Sequence, residues 1–152
     1  MKYRSCLALV IVLAACSTTP ETAQPPAGLP LAGTWKLISG TIIEQSDTVV
    51  TDYTTDKSFI KVINDTHFSF MGHDLTKGKD SAAFYVSGGG RYTLKDSAYT
   101  EYLTYCNNRD WEGNEFHFTV TIHNDTLVQQ GLEKIEAAGV DRINIEKYVR
   151  VK

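Results

Sequence analysis

The chain has 152 residues, 42% of them hydrophobic and 22% charged, with a net charge of −3. With a leader set aside, about 120 residues remain, enough for one hydrophobic core and too few for two. The mildly acidic balance, with no basic stripe, excludes nucleic acid as a partner. Of the three cysteines, Cys6 and Cys16 fall in the leader region, so Cys106 has no internal disulfide partner and reads as a small buried filler.

Lys2 and Arg4 precede the apolar run CLALVIVLAA, which has the length of a signal-peptide core and is too short to span a bilayer. The run ends in Leu13-Ala14-Ala15-Cys16. Two small residues before a cysteine fit a peptidase pocket, and the thiol is the nucleophile that accepts a diacylglyceryl group. These four positions resemble the lipobox of bacterial lipoproteins. The resemblance implies a signal peptide over 1–15, an acylated Cys16 inserted in a lipid bilayer, and a place in the bacterial cell envelope. Ser17 resembles the residue types that permit sorting to an outer membrane, facing the periplasm or the cell surface. Residues 16–30 hold all four prolines and little that packs. They read as an extended tether reaching about 40 Å, at roughly 3.1 Å per residue.

From Leu31 onward, β-branched and aromatic residues dominate and turn signals recur at short intervals. Strands are expected at 33–43, 48–55, 57–63, 66–72, 81–94, 97–106, 114–123, 126–132 and 142–151. Asn64-Asp65, Lys95-Asp96 and Asn124-Asp125 sit between extended runs, where Asn and Asp tolerate the left-handed backbone of tight hairpins. Gly88, Gly89 and Gly90 mark a bulge or sharp bend. The stretch GLEKIEAAG reads as a loop with a single helical turn. So many consecutive hairpins would leave two exposed edges unless the sheet closed on itself. The expected fold is all-β, an up-and-down antiparallel barrel of eight to ten strands.

Alternation sorts the faces. Phe116 and Phe118 share a buried face with Val120 and Ile122. Phe68 pairs with Phe70, and Trp35 with Leu37. Tyr99, Glu101, Leu103 and Tyr105 form the more apolar side of their strand, which draws Glu101 inward. The last strand leaves two arrangements open. Either Ile143 and Ile145 face the interior, or Arg142, Asn144, Glu146, Tyr148 and Arg150 line a cavity. A charge drawn inside needs a partner, since desolvating it alone costs several kcal/mol. Arg150 with Glu101 or Glu146 would supply one.

GTWKL at the domain start, KSFIKVINDTHFSF, SGGGRYTLKDSAYTEYLTY, FHFTVTIHNDTLVQQG and EKYVRVK together resemble the lipocalin superfamily, more closely its small bacterial lipocalin-like domains. The resemblance implies a barrel around a cup. Trp35 of the Gly33-x-Trp35 pair would cross the floor, with Arg150 over its ring, a contact of about 0.5–2 kcal/mol. The chain lacks the disulfide of animal lipocalins and the helical lid of the fatty-acid-binding branch.

Two functions are expected to compete. In the first, a membrane-tethered, monomeric domain binds a small hydrophobic or amphipathic ligand. Arg150, Tyr148 and Glu101 would orient its polar head, and Phe68, Phe70, Tyr99, Tyr105, Phe116 and Phe118 would wall the site. In the second, a filled barrel binds protein or glycan through the loops MGHDLTKGKD and NNRDWEGNE, with Trp111 exposed as a contact. Interior volume separates them: below about 100 Å³ only waters fit, whereas ligand pockets start near 300 Å³. Catalysis is not expected. There is no zinc-type spacing, nucleophile elbow or phosphate loop, and His117 and His123 lie about 20 Å apart along one strand. No catalytic residue, metal ligand or cofactor is assigned.

Overall fold

A computed structural model describes residues 29–152, so the signal-peptide reading and the lipidation of Cys16 lie outside the described residues. Nine strands follow one another: β1 Gly33–Glu44, β2 Asp47–Asp52, β3 Lys57–Ile63, β4 His67–Asp74, β5 Tyr85–Lys95, β6 Ala98–Cys106, β7 Glu115–His123, β8 Thr126–Ile135 and β9 Val140–Arg150. Every pairing is antiparallel. β1 and β3 to β9 pair in chain order, and β9 returns to β1 from Trp35↔Arg150 to Ile43↔Ile143. Eight strands therefore close a lipocalin-like barrel. The extra strand β2 lies on the same edge of β1 that β3 occupies lower down, at Ser39 to Glu44 against Gly33 to Lys36.

The three tight turns named in the sequence all lie at one end of this up-and-down barrel, which they help to close. Asp96 and Asn124 adopt the left-handed backbone, with φ of 55° and 54°. Asn64 works differently. Its Oδ1 accepts the backbone N–H groups of Thr66 at 2.9 Å and His67 at 2.8 Å, an Asx turn. The longer connections, 75–84, 107–114 and 136–139, ring the other end. β5 starts at Tyr85, later than expected, because the chain before it is held by other bonds. Asp80 ties 80–83 into a turn, and the Asp74 carboxylate accepts the Phe84 and Gly78 N–H groups. The stretch read as a loop around 131–139 is mostly strand, with a short 3-10 turn at Glu136–Ala138 ended by left-handed Gly139.

The floor is built from the domain's first residues. Trp35 is 0% exposed. Its indole Nε1 donates to the Leu31 carbonyl at 2.8 Å, and Arg150 Cζ lies 4.1 Å from its ring centroid. The same guanidinium donates to the carbonyls of Ala32 at 2.9 Å and Pro30. Leu29 and Pro30, placed at the end of the tether by the sequence, thus belong to the floor. Gly33 has φ 144°, and a Cβ there would sit 2.5 Å from Arg150 Nη1. The Gly-x-Trp pair is explained by that close approach: only glycine lets the backbone pass under the arginine.

Two bulges re-aim side chains. In β1 the pairing to β9 slips between Leu37 and Ser39. In β6 it slips between Leu103 and Tyr105, opposite Gly89 and Gly90. The extra residue, Thr104, reverses the alternation. Tyr105, expected on the inner wall, consequently points outward and is 69% exposed, while Cys106 turns in and is buried. The glycines do not interrupt β5. Gly90 makes room for the bulge of β6, whose Tyr102 carbonyl presses on it, and Gly88 makes room for the Phe70 ring.

Candidate ligand-binding site

Above the floor the barrel holds a cavity of about 390 Å³. Its base is polar. Lys61, on the inner face of β3 between Phe59 and Ile63, is only 2% exposed. Its ammonium donates to Glu101 Oε1 at 2.6 Å and Gln129 Oε1 at 2.9 Å, and lies 4.0 Å from Glu146 Oε2. The rings of Phe68, Tyr99 and Tyr148 surround it at 5.5, 5.9 and 5.7 Å from their centroids. A buried cation is tolerable here because carboxylate, amide and aromatic faces together replace its water.

Burial pushes the Glu101 carboxyl above the usual carboxylate range; Lys61 opposes that shift and the nearby Glu146 charge adds to it. The Tyr148 hydroxyl donates to Glu146 Oε2 at 2.7 Å, and burial, then Glu146, holds that phenol in its neutral form. The Tyr99 hydroxyl is enclosed beside the Glu101 carboxylate but short of hydrogen-bond geometry.

A second polar group stands higher on the wall. Arg142 Nε donates to Glu133 Oε2 and Asn144 Nδ2 to Glu133 Oε1, both at 2.7 Å. Burial raises the Glu133 carboxyl, against the lowering effect of Arg142. The guanidinium in turn lies 5.4 Å from the Trp111 ring centroid, and that ring packs on Phe116 at 5.7 Å. The remaining wall is aromatic. Phe59 stacks on Phe70 at 5.8 Å with planes 10° apart, Phe116 tilts on Phe118 at 6.4 Å, and Phe84 joins them.

No family model matches the chain, and no curated protein does. The chemistry of the barrel interior therefore carries the functional argument.

Of the residues expected to form the site, Glu101, Tyr148, Phe70, Phe116 and Phe118 line the cavity. Phe68 and Tyr99 are buried one layer lower, beneath Lys61. Tyr105 lies outside. Arg150 is engaged in the floor, so it is not the partner of Glu101 or Glu146; that partner is Lys61, which the sequence reading missed. The last strand takes the second of its two arrangements. Arg142, Asn144, Glu146 and Tyr148 line the cavity, and Ile143 is 43% exposed.

Gln129, Glu133, Arg142 and Asn144 were not named as binding residues, yet they line the cavity. A signal existed for Gln129 and Glu133, and for Lys61. Lys61 alternates with Phe59 and Ile63, and Gln129 and Glu133 alternate with Leu127 and Ile135, so each falls on an apolar face. Trp111, expected to be exposed at a loop tip, is half-buried and lines the cavity.

Proposed function

We propose that this domain binds a small amphipathic molecule inside its barrel, and that acylation of Cys16 holds it at a membrane of the bacterial cell envelope as a lipocalin-like lipoprotein. The cavity is the observation that carries the reading. Its volume of about 390 Å³ lies in the range of ligand pockets and well above that of a water-filled gap. Aromatic rings above and hydrogen-bonding groups below match a ligand with an apolar body and a polar head. The role is binding, without turnover. The filled-barrel alternative loses support on both counts: the interior is not filled, and Trp111 packs on the cavity wall.

The test uses the full-length protein and the uncharged fluorescent probe N-phenyl-1-naphthylamine. Binding in the barrel is expected to change Trp111 emission, an effect lost in Trp111→Phe, and to protect Cys106, which lines the cavity, from alkylation read by peptide mass spectrometry. A probe that binds without touching either signal would place the interaction on the outer surface and end the proposal. For the anchor, Cys16→Ser is expected to release the protein from the membrane fraction.

A further inference from the structure

The charges around the cavity constrain what the ligand carries. Three carboxylates line it, Glu101, Glu133 and Glu146, against two cations, Lys61 and Arg142. Two close ion pairs account for four of these groups: Lys61 with Glu101 at 2.6 Å and Arg142 with Glu133 at 2.7 Å. Glu146 is left over. Its nearest cation is Lys61, at 4.0 Å and already committed, and its hydrogen bond comes from the neutral Tyr148 phenol. Its side chain is also the most open of the three carboxylates, 17% exposed against 7% and 8%. Gln129 spends its carbonyl on Lys61, and its NH2 group donates no hydrogen bond among the described residues. A cavity this aromatic desolvates whatever enters it, so an unmatched carboxylate at its base favours an incoming positive charge.

We propose that the cavity takes an organic monocation: a primary or secondary amine on an apolar, preferably aromatic, body, with the ammonium against Glu146 and the body among the rings of Phe59, Phe70, Phe116 and Trp111. This deepens the binding reading above and rests on it. A fatty acid or other carboxylate is disfavoured, because its head would meet Glu146 and Glu101, while the one nearby ammonium already donates to Glu101 and Gln129 and has Glu146 at 4.0 Å. A metal ion is disfavoured too, since among the described residues no three His, Cys, Asp or Glu side chains converge in a metal-binding arrangement. At about 30 Å³ per water the cavity holds roughly a dozen waters, which sets the ligand near the size of an arylalkylamine.

The experiment is a calorimetric titration of the full-length protein with two matched sets that vary only the head. One set is tryptamine, tryptophol and indole-3-propionate; the other is 4-phenylbutylamine, 4-phenylbutanol and 5-phenylpentanoate. Each amine is expected to bind about ten- to a hundredfold more tightly than its alcohol, with the carboxylate weakest. In Glu146→Gln the ratio of amine to alcohol affinity is expected to fall to near one. An alcohol or carboxylate that binds as well as its amine overturns this inference and leaves the cavity reading standing, as does an amine preference that survives Glu146→Gln. If no head on either scaffold binds, the cavity reading itself fails. Should the variant not fold, the ranking on the native protein decides alone.

Discussion

Replacing Lys61 by Met keeps the unbranched stem and removes the ammonium from the base of the barrel. The side chains of Lys61 and Glu101 are 3% and 7% exposed, so the loss leaves a carboxylate with almost no water to turn to. Breaking a buried pair from one side costs about 3–5 kcal/mol. In a domain of this size, with a melting shift of roughly 4 °C per kcal/mol, that is about 12–20 °C. The loss depends on pH. Burial already raises the Glu101 carboxyl from its ordinary 4.5, and Lys61 is the main influence holding it down. Without Lys61 it rises further, so above pH 4.5 the folded state binds more protons than the unfolded state. Stability then falls as pH increases, and the deficit of the variant is smallest near pH 4.5 and largest at pH 8.

Urea unfolding followed by circular dichroism at pH 5 and pH 8 measures both quantities. Lys61→Met/Glu101→Gln is expected to recover at least half of the loss and to flatten the pH slope, because it removes the stranded charge. A single variant within about 1 kcal/mol of the native protein at pH 8, or a deficit equal at both pH values, would refute the buried-pair argument.

Arg150→Lys keeps the charge but removes the planar group that covers Trp35 and reaches two carbonyls of the entering chain. It is expected to cost about 2–4 kcal/mol in denaturant titrations and to open residues 29–32 to limited proteolysis, with no rescue from lysine. Tyr99→Phe deletes a hydroxyl without a partner and is expected to be neutral or to stabilise by up to about 1 kcal/mol. Tyr148→Phe deletes the donor to Glu146 and is expected to cost about 1–2 kcal/mol in the same assay. Gly72→Ala would place a Cβ 2.5 Å from Phe59 Cδ2 and 3.0 Å from Phe84 Cε1, pushing both rings toward the cavity. Calorimetry is expected to show affinity for an aryl probe falling about tenfold, while stability drops by about 1–2 kcal/mol.

Strand alternation and turn chemistry were enough to read the barrel from the sequence, while its floor, with Arg150 over Trp35, was an expectation carried by the family resemblance. Trp35 and Leu37, or Phe116 and Phe118, recur at the period of a strand with one dry face, and the Asn-Asp turns mark where neighbouring strands meet. The bulges were not legible. A single inserted residue inverts every later assignment on its strand, which is why Tyr105 was placed inside although Glu101, before the bulge, was placed correctly. The pairing of Lys61 with Glu101 was hidden for another reason. The two are 40 residues apart on strands that are not neighbours, and no local pattern says which inward side chains meet across a barrel. β9 left two arrangements open, and alternation alone does not choose between them. Its aliphatic residues Ile143 and Ile145 are those a dry core would claim, and they face outward because the cavity is polar on that side.

An eight-stranded barrel is narrow enough for side chains to fill it completely. What keeps this one open is the pairing of large rings with absent ones. Gly72 lies against Phe59 and Phe84, and Gly88 against Phe70; a Cβ at either glycine would stand 2.5 Å from a ring atom. The rings therefore lie back on the wall, where Phe59 and Phe70 stack nearly parallel, and do not project into the centre. The polar base acts in the same direction. Four of the five charged side chains lining the interior are held in two close ion pairs and cannot collapse into a dry core without stranding one another. A barrel selected for stability alone would gain by replacing Lys61, Glu101 and Gln129 with aliphatic residues of similar volume. Under the proposed binding role, an open, aromatic-walled space with a polar base is what an entering ligand requires, and the one carboxylate left unmatched is the group that an ammonium head would meet.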